Sequence, residues 1–249
     1  MANGGWGPPP GGFGPPPGMP PGWQPERQQL DGGIPWESPN GGLFLRWWQT
    51  LGATLKGRPF FATVAQSDDA MSAVTFHTMT WMVMGLVSGL FYSFVFGIFG
   101  AGALGPLYSM GYGLPFSGGL FAIASSILFG STLCGAFFGF VEPWVVGGLH
   151  HLVLSLVGGI PPGRTYAHTV RAHAYASGGA AVFSAIPYVG ALVTFVLSIK
   201  NHLEAYDEMH RCGGKALLAY FSPVLFCCCG CCSLFTLFSS LVPLGRFHF

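Results

Sequence analysis

Charge is what this 249-residue chain has least of: only 8% of its residues are Asp, Glu, Lys or Arg, against about 25% in an ordinary soluble domain. Between Asp69 and Glu142 there is none of the four, and a hydrocarbon core of ~30 Å needs only about 20 apolar residues per helix. Clustered Lys and Arg are missing too, and with a net charge of +1 this excludes nucleic acid as a partner. No basic segment followed by an apolar core opens the chain, so a cleaved secretory signal is not expected and the internal spans must direct insertion. Five of the seven cysteines lie in one hydrophobic run, unlike the spread spacings of a secreted disulfide framework. The motifs H-E-x-x-H, G-x-S-x-G and G-x-x-x-x-G-K-[ST] are all absent, so the chain reads as no enzyme and no cofactor is implied.

Glycine and proline are abundant instead. GGWGPPP (4–10) and GGFGPPP (11–17) form a seven-residue repeat, and such composition cannot build a core, so residues 1–40 read as a disordered, partly polyproline-II tail. Trp6, Phe13 and Trp23 are either incidental to that tether or contacts for a partner groove. Residues 41–72 form an amphipathic juxtamembrane segment. Within it, Phe44, Trp47, Trp48, Leu51 and Leu55 share a helical stripe that Arg46, Gln49, Thr50 and Lys56 avoid, which fits a helix at headgroup level or one packed on the membrane domain.

Residues 73–249 then read as a multi-pass transmembrane domain. The first span lies within 73–104, where Gly85, Gly89 and Gly97 permit close helix packing. The apolar stretch 116–160 is interrupted by Glu142-Pro143 and reads either as two spans or as a re-entrant or surface segment (116–135) leading into one span. Residues 172–199 carry Ile186-Pro187-Tyr188-Val189-Gly190 at their centre and fit one kinked span or a short hairpin. A last span runs from about 216 to 244. Loop cations arbitrate, because Lys and Arg of short loops stay cytoplasmic. With five spans and the N-terminus inside, Arg46, Lys56, Arg58, Arg164, Arg171, Lys200, Arg211 and Lys215 share the cytoplasmic side and only Arg246 is outside. Six-span and four-span counts split the cations less cleanly. The expected fold is therefore an all-α integral membrane protein, a five-helix transmembrane bundle with a disordered Gly/Pro-rich N-terminal tail.

HLVLSLVGG (151–159), TYAHTVRAHAYAS (165–177), IPYVG (186–190) and MHRCGGKALLAYFSPVL (209–225), in this order, resemble the Yip domain family of Rab-interacting membrane proteins, closest to its bacterial members. The resemblance covers roughly residues 43–245 and implies five spans, residence in a bacterial inner membrane with a cytoplasmic N-terminus, and a non-catalytic role as a membrane-organising scaffold or adaptor. The acidic segment that eukaryotic members use for GTPase contact is not recognisable, so Rab binding is not carried over. It also places Pro187, Gly190, His210 and Lys215 at a family joint. Partners are then the lipid bilayer, further copies of the chain or other membrane proteins.

Glu142, His150 and His151 are the candidate polar intramembrane residues, since ionisable groups are costly in hydrocarbon. On one helix Glu142 and His150 would share a face about 12 Å apart along the axis, with His151 nearly opposite, so they are not expected to form one preassembled site. They read as neutral, hydrogen-bonded bundle residues or as a proton or metal relay. In KNHLEAYDEMH (200–210), His202, Glu204, Asp207, Glu208 and His210 spread around a helix, as a solvated helix end would, rather than converging as metal ligands. The run FCCCGCC (226–232) is expected to act as small apolar packing residues, with no metal site assigned. The alternative function is a small transporter or channel for a metal ion, proton or small solute, with a polar path through Glu142, His150, His151, His168 and His173; such a protein needs a hydrated cavity reaching midplane.

Overall fold

The computed structural model describes residues 33–109, 116–186 and 189–224, with side chains from 33 to 99, 121 to 186 and 189 to 224. The tail to residue 32, Pro187 and the cysteine run lie outside these residues. Among the described residues every regular element is helical: α1 (Leu43–Thr54), α2 (Arg58–Val64), α3 (Ala70–Ser109), α4 (Phe116–Leu156), α5 (Tyr166–Ala181) and α6 (Val189–His210). Residues 215–224 are helical as well.

Folded structure begins before Asn40. A 3-10 turn, Pro35–Glu37, buries Ile34 and Trp36, and the Trp36 indole donates to Ser72 O at 2.8 Å. Glu37 meets Arg171 at 2.6 Å and accepts from the Tyr175 hydroxyl at 2.7 Å. Arg171 is 1% exposed and also donates to Val64 O and Asp69 O, so a buried cation has its charge matched and its donors spent, the condition for tolerating it. Residues 34–37, expected to belong to the disordered tail, are therefore packed on the helices.

α1 divides its stripe. Trp47 and Leu51 are buried, with the Trp47 indole on Thr80 Oγ1 at 2.9 Å, while Phe44, Trp48 and Leu55 stay exposed. Thr50, expected on the outer side, is buried because its hydroxyl donates back to Arg46 O. At the α1–α2 turn Gly57 has φ +72°, a backbone conformation that favours glycine; a Cβ there would meet only the movable ends of Glu204 and Lys200.

α3, started by Ser72 N–H donating to Asp69 Oδ1, pairs with α4 along a seam of glycines. A Cβ at Gly85 would strike Ser131 O, one at Gly135 would strike Trp81 O, and one at Gly139 would lie 2.7 Å from Trp81 Cβ. Gly89 shares the seam, whereas Gly97 faces open space. Ala70–Phe99 and Phe121–Leu156 are long and apolar enough to cross a membrane. Their outward side chains include Phe91, Phe94, Phe129, Leu133 and Phe137.

Of the readings of 116–160, α4 excludes the two spans: it is one 41-residue helix that runs through Glu142-Pro143 unbroken, with no turn setting off 116–135. Proline lacks the N–H that would reach the carbonyl four residues back, which is Gly139 O. That carbonyl accepts from His77 Nδ1 of α3 at 2.6 Å instead. α4 ends at a glycine cap, Gly158 at φ +63° with Gly159 N–H on Leu154 O, a common helix stop. Its continuity leaves α5 as the central helix, buried on nearly every side; Ala172, Ala174, Ala176, Gly178 and Gly179 make it thin enough for Phe76, His77 and Thr54 to pack against it. Of the two readings for 172–199, the short hairpin is the one found, α5 followed by a 3-10 turn, Val182–Ala185, and α6.

Candidate functional site

Inward-facing side chains of four helices meet where the α3–α4 seam reaches α5. Glu142 of α4 lies 2.8 Å through Oε1 from His173 Nε2 of α5. His173 Nδ1 lies 3.0 Å from His202 Nε2 of α6, and His202 Nδ1 lies 2.7 Å from Ser198 O. These three consecutive hydrogen bonds need three hydrogens. Two neutral imidazoles bring two, and the carbonyl at the end can only accept. The chain therefore has a place for one further proton, which would balance the charge of Glu142.

A branch leaves at Tyr206, whose hydroxyl is 3.4 Å from His173 Nδ1 and 2.5 Å from His150 Nδ1; His150 Nε2 has no hydrogen-bond partner. On the other side His77 spends its Nδ1 hydrogen on Gly139 O, so in the neutral ring Nε2 is bare and accepts the Trp81 indole N–H at 2.9 Å. His77 Nε2 stands 3.3 Å from Glu142 Oε2 with no hydrogen to place between them, and Oε2 is left without a hydrogen bond. His77, His150, His173 and His202 are all buried.

Glu142 and His150 do not touch; His173 and Tyr206, from other helices, stand between them. His151 is separate, as its spacing implied, at 2.8 Å from Thr169 Oγ1, which lies 2.8 Å from His210 Nε2. Burial, first, holds His210 down to about 3, and the charges of His151 and Arg164 act in the same direction. His168 sits in the α5 capping box with Thr165, away from the chain. His77, Tyr206 and Trp81 were not identified from sequence; the only available signal was a histidine in an uncharged helix facing a Gly-x-x-x-Pro pair.

α6 splits by face. His202, Tyr206 and His210 point inward, while Glu204 pairs with Lys200 at 3.2 Å and Asp207 with Arg58 at 3.1 Å. Among the described residues no group of three or more His, Cys, Asp and Glu could hold a metal ion; both nitrogens of His173 and of His202 are already spent on the chain. At the proposed joint, Gly190 N–H donates to Ile186 O and Lys215 Nζ donates to Gly158 O at 2.9 Å, tying the end of α4 to the last helix. Burial pushes the neighbouring Cys212 thiol up to about 11, so it is a poor nucleophile.

Two cavities flank these groups. One, of about 510 Å³, is lined by Trp81, Met84, Ser131, Cys134, Phe138 and Glu142; the other, of about 580 Å³, by Pro161, His210, Arg211, Cys212 and Lys215 among others. Compared with known proteins, the chain matches no family model, no curated protein and no solved structure.

Proposed function

We propose that this is a non-catalytic, multi-pass membrane protein of Yip type that serves as a membrane-organising scaffold or adaptor. The observation that carries the reading is the contrast across the α3–α4 pair. Its outward faces are apolar and aromatic, as lipid contact requires, while the inner histidines His150, His173 and His202 are buried and bonded to Glu142, Tyr206 and one another, with Glu142, its side chain 31% exposed, at the wall of the cavity. A five-span bundle with its N-terminus in the cytoplasm agrees with the packing of the cations: Arg58 lies on Asp207, Arg164 on Ala65 O, Arg171 on Glu37 and Lys215 on Gly158 O, all at one end of the α3–α4 pair. The resemblance of residues 43–245 to the Yip domain family supplies the scaffold role, and the same reading puts the chain in a bacterial inner membrane.

A second reading, a small transporter, is favoured by one observation, the hydrogen-bonded Glu142–His173–His202 chain beside a cavity. Reconstitution in vesicles loaded with a pH-sensitive dye separates the two. The scaffold leaves an imposed proton gradient intact; collapse of the gradient, lost in Glu142→Gln, overturns it. Single reporter cysteines test the topology: one at Gly163 labels from the cytoplasm and one at Gly113 from outside, and the opposite pattern removes the five-span arrangement.

A further inference from the structure

We infer that the cavity between α3, α4 and the 3-10 turn binds an amphiphilic primary amine, with its ammonium at Glu142 and its alkyl chain between Trp81 and Phe138. The inference holds for a scaffold or a transporter, because it concerns binding alone.

Shape and wall chemistry give the alkyl part. The cavity holds about 510 Å³ and its walls are mainly apolar, from Trp81, Met84, Gly85, Gly135 and Phe138. Phe138 is 60% exposed and Trp81 36%, so the space opens on the same side as the lipid-facing aromatics.

Hydrogen-bond accounting gives the head. The Ser131 hydroxyl donates to Ile127 O and Leu128 O, the Ser184 hydroxyl to Ala181 O, and the Trp81 indole to His77 Nε2. Those three donors are spent, which leaves the Ser88 hydroxyl, able to donate or accept, on the same wall. Glu142, by contrast, has a free acceptor in Oε2, and the loose terminal torsion of a glutamate lets the carboxylate turn it. A carboxylate, phosphate or ester head would bring acceptors to acceptors. An ammonium brings three hydrogens, and the rings of Trp81 and Phe138 add cation–π attraction. Glu142 is also the only acid between Asp69 and Glu204.

Charge balance gives the consequence. The Glu142–His173–His202 chain is neutral only while it holds its extra proton. A second positive charge there is costly in a buried site, so the ammonium binds in exchange: the chain's proton leaves to solvent, the amine keeps its three hydrogens, and its N–H groups donate to the Glu142 carboxylate and to the vacated His173 Nε2. The titratable groups facing this exchange are His77 from α3, His150 from α4, His173 from α5, and His202 and Tyr206 from α6.

Calorimetric titration of octylammonium into the full chain in neutral detergent, repeated in two buffers of different ionisation enthalpy, tests this. Saturable binding with release of about one proton per amine is expected, and octanoate should show none. Glu142→Gln should weaken binding by at least about tenfold and abolish proton release. Should that variant fail to fold, Cys134→Trp, which fills the cavity from its exposed wall, should block octylammonium equally. No saturable binding to the wild type, equal binding of octanoate, binding without proton release, or full affinity in either folded variant would overturn the proposal.

Discussion

The two halves of the α3–α4 pair are held together by opposite means. From Gly85 to Phe99 and from Phe121 to Gly139 there is no Asp, Glu, Lys, Arg or His, and the helices meet mainly through missing side chains, backbone against backbone, with the Ser93 hydroxyl donating across the pair to Ala124 O at 2.9 Å. Toward the other end, from Trp81 down to Asp69 and from Glu142 to Leu156, contact is made by side chains that exchange hydrogens: His77 on Gly139 O, Glu142 on His173, His150 on Tyr206. In lipid no hydrophobic force drives helices together, so close approach and polar bonds are the means left, and this protein places them in succession along one helix pair. The first half is vulnerable to added atoms. The second is vulnerable to removed ones.

The sharpest break should come from Gly135→Leu. Its Cβ would meet the Trp81 carbonyl, which is backbone and cannot swing away, so destabilisation at or beyond the ~3 kcal/mol upper end of overpacking is expected, read as loss of a monodisperse peak in detergent. Gly97→Leu, facing open space, should leave the peak unchanged. If both variants behave alike, the seam is not what joins the outer half.

Removal should hurt the other half next most. Deleting residues 1–40 takes Glu37 from the buried Arg171 and also removes the buried Ile34 and Trp36, with the Trp36 bond to Ser72 O. A loss of about 3 kcal/mol is expected, the lower end of the range for emptying a buried aromatic site. Deleting only residues 1–32 should not shift the melting temperature. Equal melting temperatures for the two truncations would show that residues 33–40 add nothing.

Acid should act on the same half through His210. Its folded pKa, about 3, lies below the ordinary 6.5, so the unfolded chain takes up the proton first. The stability tied to neutral His210 is complete above pH 6.5 and falls as pH drops from 6.5 toward 3, by at most about 1.4 kcal/mol per unit. Melting curves from pH 7 to 5 should show this slope, and His210→Gln should flatten it. The smallest effect belongs to Lys200→Ala, which breaks a partly exposed i,i+4 pair with Glu204 and should cost no more than about 0.5 kcal/mol in chemical denaturation; a larger loss would make surface charge a real part of the contrast.

Much of this contrast was legible in sequence where the cause is local. Helical content, the Gly85 and Gly89 contacts, the turn between α5 and α6 and the outward acids of α6 all follow from spacing within one segment. What escaped depends on partners far away in the chain. Pro143 implied a break, because nothing in its neighbourhood shows that His77 takes over the carbonyl it frees. Glu142 and His150 looked separate because the side chains that join them come from α5 and α6. Residues 34–37 read as tail because their partners, Ser72, Arg171 and Tyr175, are 36 to 138 positions on.

The bond between His77 and Gly139 O makes one mechanical element of two things usually considered apart, the straightness of a helix and the position of a proton. A proline site is where a helix bends most readily. Bending α4 away from α3 at Gly139 would stretch the bond that fixes which His77 nitrogen carries hydrogen, and a His77 released from that carbonyl could turn a proton toward Glu142 Oε2, now 3.3 Å away. Curvature of α4 against α3 and the placement of hydrogen on His77 are therefore linked through a single carbonyl.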